Sequence, residues 1–337
     1  MNRLKDSYQR TIDYLRISIT DRCNLRCIYC MPPEGVPPFE HKEILSYEEI
    51  IRVVKIAAGI GVRKIRITGG EPLVRKDVTY LISSLKHLTK IEDLSLTTNG
   101  ILLSRYAKEL EEAGLDRINI SLDSLNPDKY AEITRGGDLY IVLKGIKEAE
   151  MAGLKPIKIN MVPMRGINDN EIEEFARLTL KYPYQIRFIE FMPFGTQDIW
   201  SPEKFISTEE IKSIVAGIGQ LTPAKLRRAG PAQYYRFDGA PGVVGFISPL
   251  SAHFCGTCNR LRLTADGKLR PCLFSETQID LKPTLRSGAP DDEIKRLIKL
   301  SIDTKPEGHN ITIQNIELNS LFKNREGCRR QMSKIGG

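Results

Sequence analysis

The sequence predicts an α/β fold, an incomplete (β/α)6 TIM-type barrel whose open side is covered by a C-terminal α+β segment. Short apolar-alternating stretches recur along the chain, and each is followed by a stretch with helical periodicity. This repetition favours parallel strands joined by right-handed crossovers. Each strand-like stretch also ends in a polar or glycine-bearing loop, and a barrel gathers such loops at one mouth, whereas an open sheet uses one switch point. We therefore expect residues 1–220 to form the barrel and residues 221–337 the C-terminal segment.

Six stretches are predicted to be barrel strands. They are YLRISIT (14–20), RKIRIT (63–68), DLSLTT (93–98), RINISL (117–122), PIKINMV (156–162) and QIRFIEFM (185–192). The first long helical stretch, SYEEIIRVVKIAAG, opens on Ser46 and Glu49, which have the spacing of a capping box. Beyond residue 220 the sequence predicts hairpins in 233–248 and 261–273, the second turning at Asp266-Gly267, and then a helix near 291–302.

The two faces of the predicted strands differ in character, because alternate residues of a strand point to opposite sides. One face is isoleucine and leucine, and the other is polar. The polar set comprises Arg16, Ser18, Arg66, Thr68, Ser95, Thr97, Asn119, Ser121, Lys158 and Asn160. A closed barrel is filled with branched apolar side chains, so a polar lining predicts a wider, incompletely closed barrel around a wet cavity. The alternative is that these groups pair with other polar groups, for instance Arg66 with Glu190.

Composition restricts the class of protein only loosely. The chain has 337 residues, with 50 Lys and Arg against 42 Asp and Glu, a net charge of +8. Such a charge suits nucleic acid, a membrane surface or a small polyanion. The sequence contains no apolar run of about 18 residues and no secretion signal, so we expect a cytoplasmic protein. In a reducing compartment the seven cysteines point to metal binding rather than disulfides.

Three of the cysteines, Cys23, Cys27 and Cys30, are spaced C-x3-C-x2-C. Three thiolates around a metal centre leave one coordination position open, which is typical of reactive rather than structural sites. The spacing allows one loop to wrap a cubane iron–sulfur cluster. Structural zinc would need a fourth ligand, and the nearest histidine, His41, is eleven residues beyond Cys30.

The second cysteine group is Cys255, Cys258 and Cys272. Here zinc is a stronger alternative, because His253 could complete a three-cysteine, one-histidine set. Arg260 and Arg262 follow on one face of the next predicted strand. They indicate either a second open cluster facing an anionic ligand or a solvated strand face. Cys328 is left over and is expected to be a free thiol.

The first cysteine motif, with Tyr29 before its last cysteine, resembles the signature of the radical S-adenosylmethionine enzymes. The GGEP stretch (69–72) fits this resemblance, since glycine lets the backbone approach a ligand closely. The resemblance is also carried by the stretches TTNG, SLDS, KINMVPMRGINDNE, RFIEFMPFG, FCGTCNRLRLTADGKLRPCL and the terminal MSKIGG. Over nearly its whole length the chain resembles, within that superfamily, the GTP 3′,8-cyclase family of molybdenum cofactor biosynthesis.

The resemblance implies two [4Fe-4S] clusters and S-adenosylmethionine as cofactors. A 5′-deoxyadenosyl radical would take hydrogen from C3′ of GTP, and attack of the sugar on C8 of guanine would give 3′,8-cyclo-7,8-dihydro-GTP. The implied partners are a reducing electron donor and a downstream cyclic pyranopterin monophosphate synthase, with a homodimer allowed and neither nucleic acid nor membrane expected.

The resemblance also implies roles for individual residues. Cys23, Cys27 and Cys30 would hold the first cluster, and Cys255, Cys258 and Cys272 the second. The implied S-adenosylmethionine contacts are Tyr29, Gly70, Ser121 and Met192. The implied GTP contacts are Arg16, Arg66, Thr97, Lys158, Arg260 and Arg262. The catalytic set would comprise Arg16, Arg260 and Arg262 together with Gly336 and Gly337, which would thread the tail into the site.

Two rival functions are open on the sequence. A peptide-modifying radical maturase would typically carry more C-terminal cysteines and need a groove for its peptide. A zinc protein that binds nucleic acid would use the net charge, but the basic residues are dispersed and aromatic residues near them are sparse.

Overall fold

The computed structural model describes residues 4–194, 199–226 and 230–311. The described strands are β1 (Tyr14–Ser18), β2 (Lys64–Thr68), β3 (Asp93–Thr98), β4 (Arg117–Ser121), β5 (Ile157–Met161), β6 (Gln185–Ile189), β7 (Leu221–Pro223), β8 (Gln233–Phe237), β9 (Val243–Ile247), β10 (Arg260–Leu263), β11 (Lys268–Arg270) and β12 (Ile279–Asp280). The described helices are α1 (Tyr47–Ile60), α2 (Val78–Lys86), α3 (Leu103–Glu112), α4 (Pro127–Thr134), α5 (Leu139–Met151), α6 (Ile172–Lys181), α7 (Thr208–Ala216), α8 (Lys282–Arg286) and α9 (Asp291–Asp303). None of these helices has the length and apolar character needed to cross a bilayer. Cys328, Gly336 and Gly337 lie outside the described residues.

The strands form one sheet in the order β12-β11-β10-β1-β2-β3-β4-β5-β6-β9-β8-β7. Strands β1 to β6 are parallel and adjacent in chain order, with at least one helix between each successive pair. The order ends at β12 and β7, so the sheet does not close on itself. The predicted incomplete barrel is confirmed, and all six predicted barrel strands are present.

The C-terminal segment lengthens the same sheet at both edges. Strand β10 pairs in parallel with β1, and β9 pairs in parallel with β6. Both predicted hairpins are present, as β8–β9 and β10–β11, and Gly267 in the second turn has a positive φ of 88°. Edge-to-edge addition was not foreseen from the sequence. The division at residues 1–220 and 221–337 stays a prediction, since one continuous sheet crosses it.

The apolar face of the barrel strands is buried under the helices. Its members are Ile17, Ile19, Ile65, Ile67, Leu94, Leu96, Ile118 and Ile120, all 0% exposed. They belong to one core cluster with helix residues such as Val53, Leu81 and Leu110. Full burial of each such side chain stabilises the fold by roughly 1.5–3 kcal/mol. Because this face turns outward to the helices, the polar face turns inward.

Helix α1 begins with the predicted capping box. The Ser46 hydroxyl accepts a hydrogen bond from the Glu49 amide at 3.2 Å, and the Glu49 carboxylate accepts one from the Ser46 amide at 2.7 Å. Two amides that would otherwise lack partners at the helix start are thereby satisfied. Gly61, with φ of 130°, ends the helix and donates to the Ala57 carbonyl.

We expect Ser46→Ala to lower the free energy of unfolding by about 1 kcal/mol, because the Glu49 amide loses its acceptor. Urea unfolding followed by circular dichroism measures this. The matched control is Ser213→Ala, an exposed serine inside α7, where alanine has the better helix propensity. Equal midpoints for wild type and Ser46→Ala would show that the cap contributes nothing.

Candidate functional site

The inward polar face lines a cavity of about 350 Å³. Seven of the ten predicted polar positions reach it, namely Arg16, Arg66, Thr68, Thr97, Ser121, Lys158 and Asn160. Of the other three, Ser95 and Asn119 bond within the wall, Ser95 to the Ile65 carbonyl at 3.3 Å and Asn119 to the Leu96 carbonyl at 3.0 Å. The interior therefore has the polar lining that strand alternation predicts.

Both cysteine groups open onto this cavity, at its two ends. Cys23, Cys27 and Cys30 follow the carboxyl end of β1, whereas Cys258 comes just before β10, which runs parallel to β1. Strand β11 runs back antiparallel to β10, so Cys272 returns to the Cys258 end. No disulfide joins the six cysteines of the described residues. Two groups of three thiols thus face each other along the strand direction.

Hydrogen bonds shape the first cysteine loop. The Cys30 amide donates to the Cys27 carbonyl at 2.9 Å, and the Leu25 amide lies 3.4 Å from the Cys23 sulfur. The Asn99 side-chain amide also points at that sulfur, at 3.7 Å. Burial raises the pKa of Cys27 well above its usual value, and the neighbouring Cys30 raises it further. Thiols that would repel one another as thiolates fit a polycationic iron–sulfur centre, whose charge would offset that repulsion.

The GGEP loop packs directly against the cysteine loop. The Gly70 amide donates to the Thr20 carbonyl at 2.7 Å, and a Cβ at Gly70 would lie 2.2 Å from the Arg22 carbonyl oxygen. Only glycine therefore allows this approach. The next residue, Glu71, is buried and accepts hydrogen bonds from the Thr98 hydroxyl and the Asn99 amide at 2.8 and 2.7 Å. Burial outweighs these bonds and raises the pKa of Glu71 to about 7.

All four residues predicted to contact S-adenosylmethionine line the cavity, at the mouth formed by the carboxyl ends of the strands: Tyr29, Gly70, Ser121 and Met192. The Tyr29 hydroxyl donates to the Asp123 carboxylate at 2.5 Å, and the Val162 amide donates to the other oxygen at 2.9 Å. Burial raises the pKa of Asp123 to about 6. The predicted residues are thus brought together, and Asp123, which the sequence analysis did not single out, links two of the surrounding loops.

Arginines of three neighbouring strands lie side by side across the cavity wall. Strand register pairs Arg16 with Arg262 on one side and with Arg66 on the other. Burial, followed by these two cations, lowers the pKa of Arg16 well below its usual value. Burial and nearby Arg260 lower that of Arg262 to about 9. Arg262 is only 4% exposed, so the alternative of a solvated strand face is wrong for this residue.

Further along the wall are Lys158 and Arg187. Burial, then Arg187 and Arg117, lowers the pKa of Lys158 to about 6. Arg187 donates to the Asn119 side chain at 2.6 Å. Within the described residues, several buried polar atoms of the cavity wall have no hydrogen-bond partner: Tyr14 Oη, Thr97 Oγ1, Asn160 Oδ1 and Arg187 Nε. Such atoms are costly to bury unless a ligand satisfies them.

The pairing of Arg66 with Glu190 is not formed. Arg66 donates to the Ser95 hydroxyl at 3.4 Å and lies over the Tyr14 ring at 5.5 Å. Glu190 instead accepts hydrogen bonds from the amides of Leu250 and Ser251 at 2.8 and 3.0 Å. The cationic lining is therefore not neutralised in the way that this alternative required.

At the other end, cations surround the second cysteine group. Burial alone would raise the pKa of Cys258, but Arg260 and Lys305 lower it to about 6. Lys305 is held by the carbonyls of Arg260 and Pro271 at 2.9 and 2.6 Å. A thiolate at this position suits metal ligation, and Arg260 and Lys305 lie within reach of an anion bound beside it.

Several residues of the site were not predicted from the sequence. Arg187 was detectable, because it continues the polar alternation of QIRFIEFM and lies in register with Asn160. Lys305 follows α9, and Glu71 and Asp123 act through hydrogen bonds between loops. No periodicity in the sequence marks these three.

Three features together define a radical S-adenosylmethionine enzyme: the open barrel, the loop with three cysteines and the glycine-bearing loop at the mouth. The family model of the radical SAM superfamily matches residues 17–179, and that of Molybdenum Cofactor Synthesis C matches residues 184–311. Relatives named GTP 3′,8-cyclase are 55% identical over 307 residues in Thermodesulfovibrio yellowstonii (90% of this chain, 95% of the relative) and 50% identical over 334 residues in Alkaliphilus oremlandii (99% and 100%). The chain belongs to the GTP 3′,8-cyclase family.

Among solved structures, Streptococcus suis SuiB bound to S-adenosylmethionine matches with a TM-score of 0.62, covering 87% of this chain and 69% of that one. At 16% identity this likeness supports the fold alone.

Proposed function

We propose that the cavity is the chamber in which this chain cyclises GTP, with S-adenosylmethionine at the Cys23–Cys30 end and GTP between the arginines and the Cys255–Cys272 end. As a member of its family the chain is a radical S-adenosylmethionine enzyme of molybdenum cofactor biosynthesis. One observation carries the assignment of the site: two groups of three cysteines open onto opposite ends of one cavity whose walls carry the arginines.

The six cysteines suit two [4Fe-4S] clusters, each with one iron that lacks a protein thiolate. When bound, the cluster on Cys23, Cys27 and Cys30 would supply the electron that cleaves S-adenosylmethionine to a 5′-deoxyadenosyl radical. The chain's own contribution at this end is positional. Gly70 keeps the backbone close to the cysteine loop. Glu71 accepts a hydrogen bond from the backbone amide of Asn99, and the side-chain amide of Asn99 points at the Cys23 sulfur.

The arginine row supports a polyphosphate ligand. Arginine can clamp phosphate oxygens through two donors at once, and the mutual repulsion of Arg16, Arg66 and Arg262 would be relieved by an anion placed between them. The partnerless atoms of Thr97 and Asn160 offer polar contacts for a nucleoside. A polyanion with a polar sugar and base therefore matches this lining better than a peptide backbone does.

Enclosure is the remaining requirement, because a primary carbon radical takes hydrogen from nearby donors and the site must exclude stray groups. We assign Gly336 and Gly337, from the family resemblance, to a tail that threads into the active site. Residues without side chains would let the main chain approach the substrate without adding a hydrogen donor such as a side-chain methylene.

The finer partners are part of the same proposal. The first cluster needs a low-potential electron donor, and the cyclised nucleotide needs a downstream synthase that converts it to cyclic pyranopterin monophosphate. We expect a cytoplasmic location, since a reducing compartment protects exposed clusters and thiols. The proposal allows a homodimer.

The decisive test is anaerobic incubation of the iron–sulfur holoenzyme with GTP, S-adenosylmethionine and dithionite, followed by mass spectrometry. We expect 5′-deoxyadenosine and a nucleotide isomeric with GTP, and deuterium at C3′ of GTP should appear in the 5′-deoxyadenosine. Cys27→Ser, which removes a ligand of the first cluster, is the negative control. Formation of 5′-deoxyadenosine without any GTP isomer would favour the rival peptide-modifying maturase.

We expect Arg260→Ala and Arg262→Ala each to weaken GTP binding by roughly 10- to 100-fold, because a hydrogen bond to a charged group contributes about 1.5–3 kcal/mol. Anaerobic calorimetry on the holoenzyme measures this, and cleavage of S-adenosylmethionine should persist. Arg236→Ala, on β8 and bonded to the Ala240 carbonyl at 3.0 Å, is the control outside the cavity. Unchanged GTP affinity in both variants would remove the arginine row from the substrate site.

GTP binding should also take up a proton through Lys158. Its pKa of about 6 in the free cavity leaves it largely neutral at pH 7.5. An adjacent polyphosphate raises that pKa, so the neutral amine takes up a proton on binding and becomes an ammonium ion. As the pH falls below about 6, the residue becomes charged in the free cavity as well, so the uptake declines. Calorimetry in buffers of different ionisation enthalpy should show less uptake for Lys158→Met than for wild type. The same uptake in both proteins would contradict a role for Lys158 at the phosphates.

A further inference from the structure

Two histidines flank the first cysteine of the second group. Side-chain ligand atoms of His253, Cys255 and His309 all lie within 4.8 Å of one another. His253 is exposed, whereas Cys255 and His309 are partly buried. The sequence pattern suggested His253 alone as a partner for three cysteines. The fold adds His309, which is 54 positions beyond Cys255 in the chain, and places it beside the same thiol.

The imidazole ring of His309 is placed to bind a metal ion. Its Nδ1 atom is buried and has no hydrogen-bond partner within the described residues. Ring contacts on both sides hold the imidazole in place: the His253 and Phe274 rings are tilted by 47° and 43° to it, with centroids 4.2 Å away in each case.

The spacing of these atoms fits one metal ion better than one corner of a cluster. Around a single tetrahedral ion with bonds of 2.0–2.3 Å, sulfur and nitrogen ligands lie roughly 3.6 Å apart. Separations within 4.8 Å reach that value by small side-chain rotations. The ligands of a cubane bind different irons and lie further apart. Imidazole with thiolate is also the ligand set that zinc and its chemical analogues prefer.

We propose that, before the second cluster is inserted, His253, Cys255 and His309 bind one divalent metal ion of the zinc class. Binding replaces the proton of the Cys255 thiol, which leaves to solvent, and forms one metal–sulfur and two metal–nitrogen bonds with a fourth position open to water. The site itself rests on the three side chains. One consequence rests on the proposed function. Because the second cluster also needs Cys255, the metal ion and the cluster cannot be bound at the same time.

Cobalt(II) is the probe for this site, because tetrahedral cobalt absorbs visibly and cobalt–thiolate bonds add a charge-transfer band. The full-length, cluster-free chain would carry Cys23→Ser, Cys27→Ser, Cys30→Ser and Cys328→Ser, so that the second group holds the remaining three of the seven cysteines. We expect one cobalt ion per chain with a single thiolate band. His253→Gln and His309→Gln should each weaken binding at least tenfold, whereas His41→Gln, a histidine remote from this group, should not.

A second pair of variants separates the ion from the cluster. Cys272→Ser should keep wild-type cobalt affinity but lose the second cluster on reconstitution, and His309→Gln should lose cobalt but keep the cluster. Circular dichroism checks that all variants fold. Cobalt binding that survives both histidine changes and disappears in Cys272→Ser would show a three-cysteine site and overturn the proposal, as would the lack of any thiolate band.

A competition experiment tests whether the metal ion and the second cluster exclude each other. Stoichiometric Zn²⁺ added before iron and sulfide should prevent formation of the second cluster in wild type and not in His309→Gln, as judged by iron content and by the electron paramagnetic resonance signal. Equal cluster formation with and without zinc would overturn mutual exclusion. The GTP cyclisation assay on pre-formed holoenzyme does not depend on this ion, so failure here and failure of the proposed function are distinguishable.

Discussion

The register of the strands is the constraint on which the cavity depends, because it places arginines side by side in spite of their mutual repulsion. Arg16 lies between Arg66 and Arg262 across three hydrogen-bonded strands. Burying like charges together is unfavourable, and here the apolar outer face of the strands and the backbone ladders hold them in place. The molecule therefore retains an unfavourable local arrangement that a polyanion relieves. Relief of this repulsion would favour binding of a polyanion, in addition to the individual hydrogen bonds that the ligand makes.

The open sheet makes this arrangement possible. A closed eight-stranded barrel would fill its interior with branched side chains, whereas here the C-terminal segment adds β10 beside β1 and contributes Arg260 and Arg262 to the wall. The same pairing sets the positions of the cysteine groups. Since β10 is parallel to β1, a loop that precedes β10 and a loop that follows β1 must lie at opposite ends of the cavity.

Buried carboxylates join the loops of the mouth to one another. Glu71, after β2, accepts from Asn99, which follows β3, and Asp123, after β4, accepts from Val162, which follows β5. Glu190, after β6, accepts from the amides of Leu250 and Ser251 beyond β9. Each carboxylate satisfies backbone amides that would otherwise be buried without acceptors. Asp123 also accepts a hydrogen bond from Tyr29, so this network reaches the loop that carries the first cysteine group.

The sequence alone determined the barrel strands, the capping box at Ser46, the inward polar face and the two cysteine groups. Each of these is written in local spacing, such as the alternation of a strand or the interval between ligands. Only the tertiary structure decided that Arg262 lies beside Arg16, that Glu71 holds Asn99 and that His309 lies beside Cys255. These neighbours are distant in sequence. Their contact depends on which strand joins which edge of the sheet, and that choice reflects the packing of the whole chain rather than any local pattern of residues.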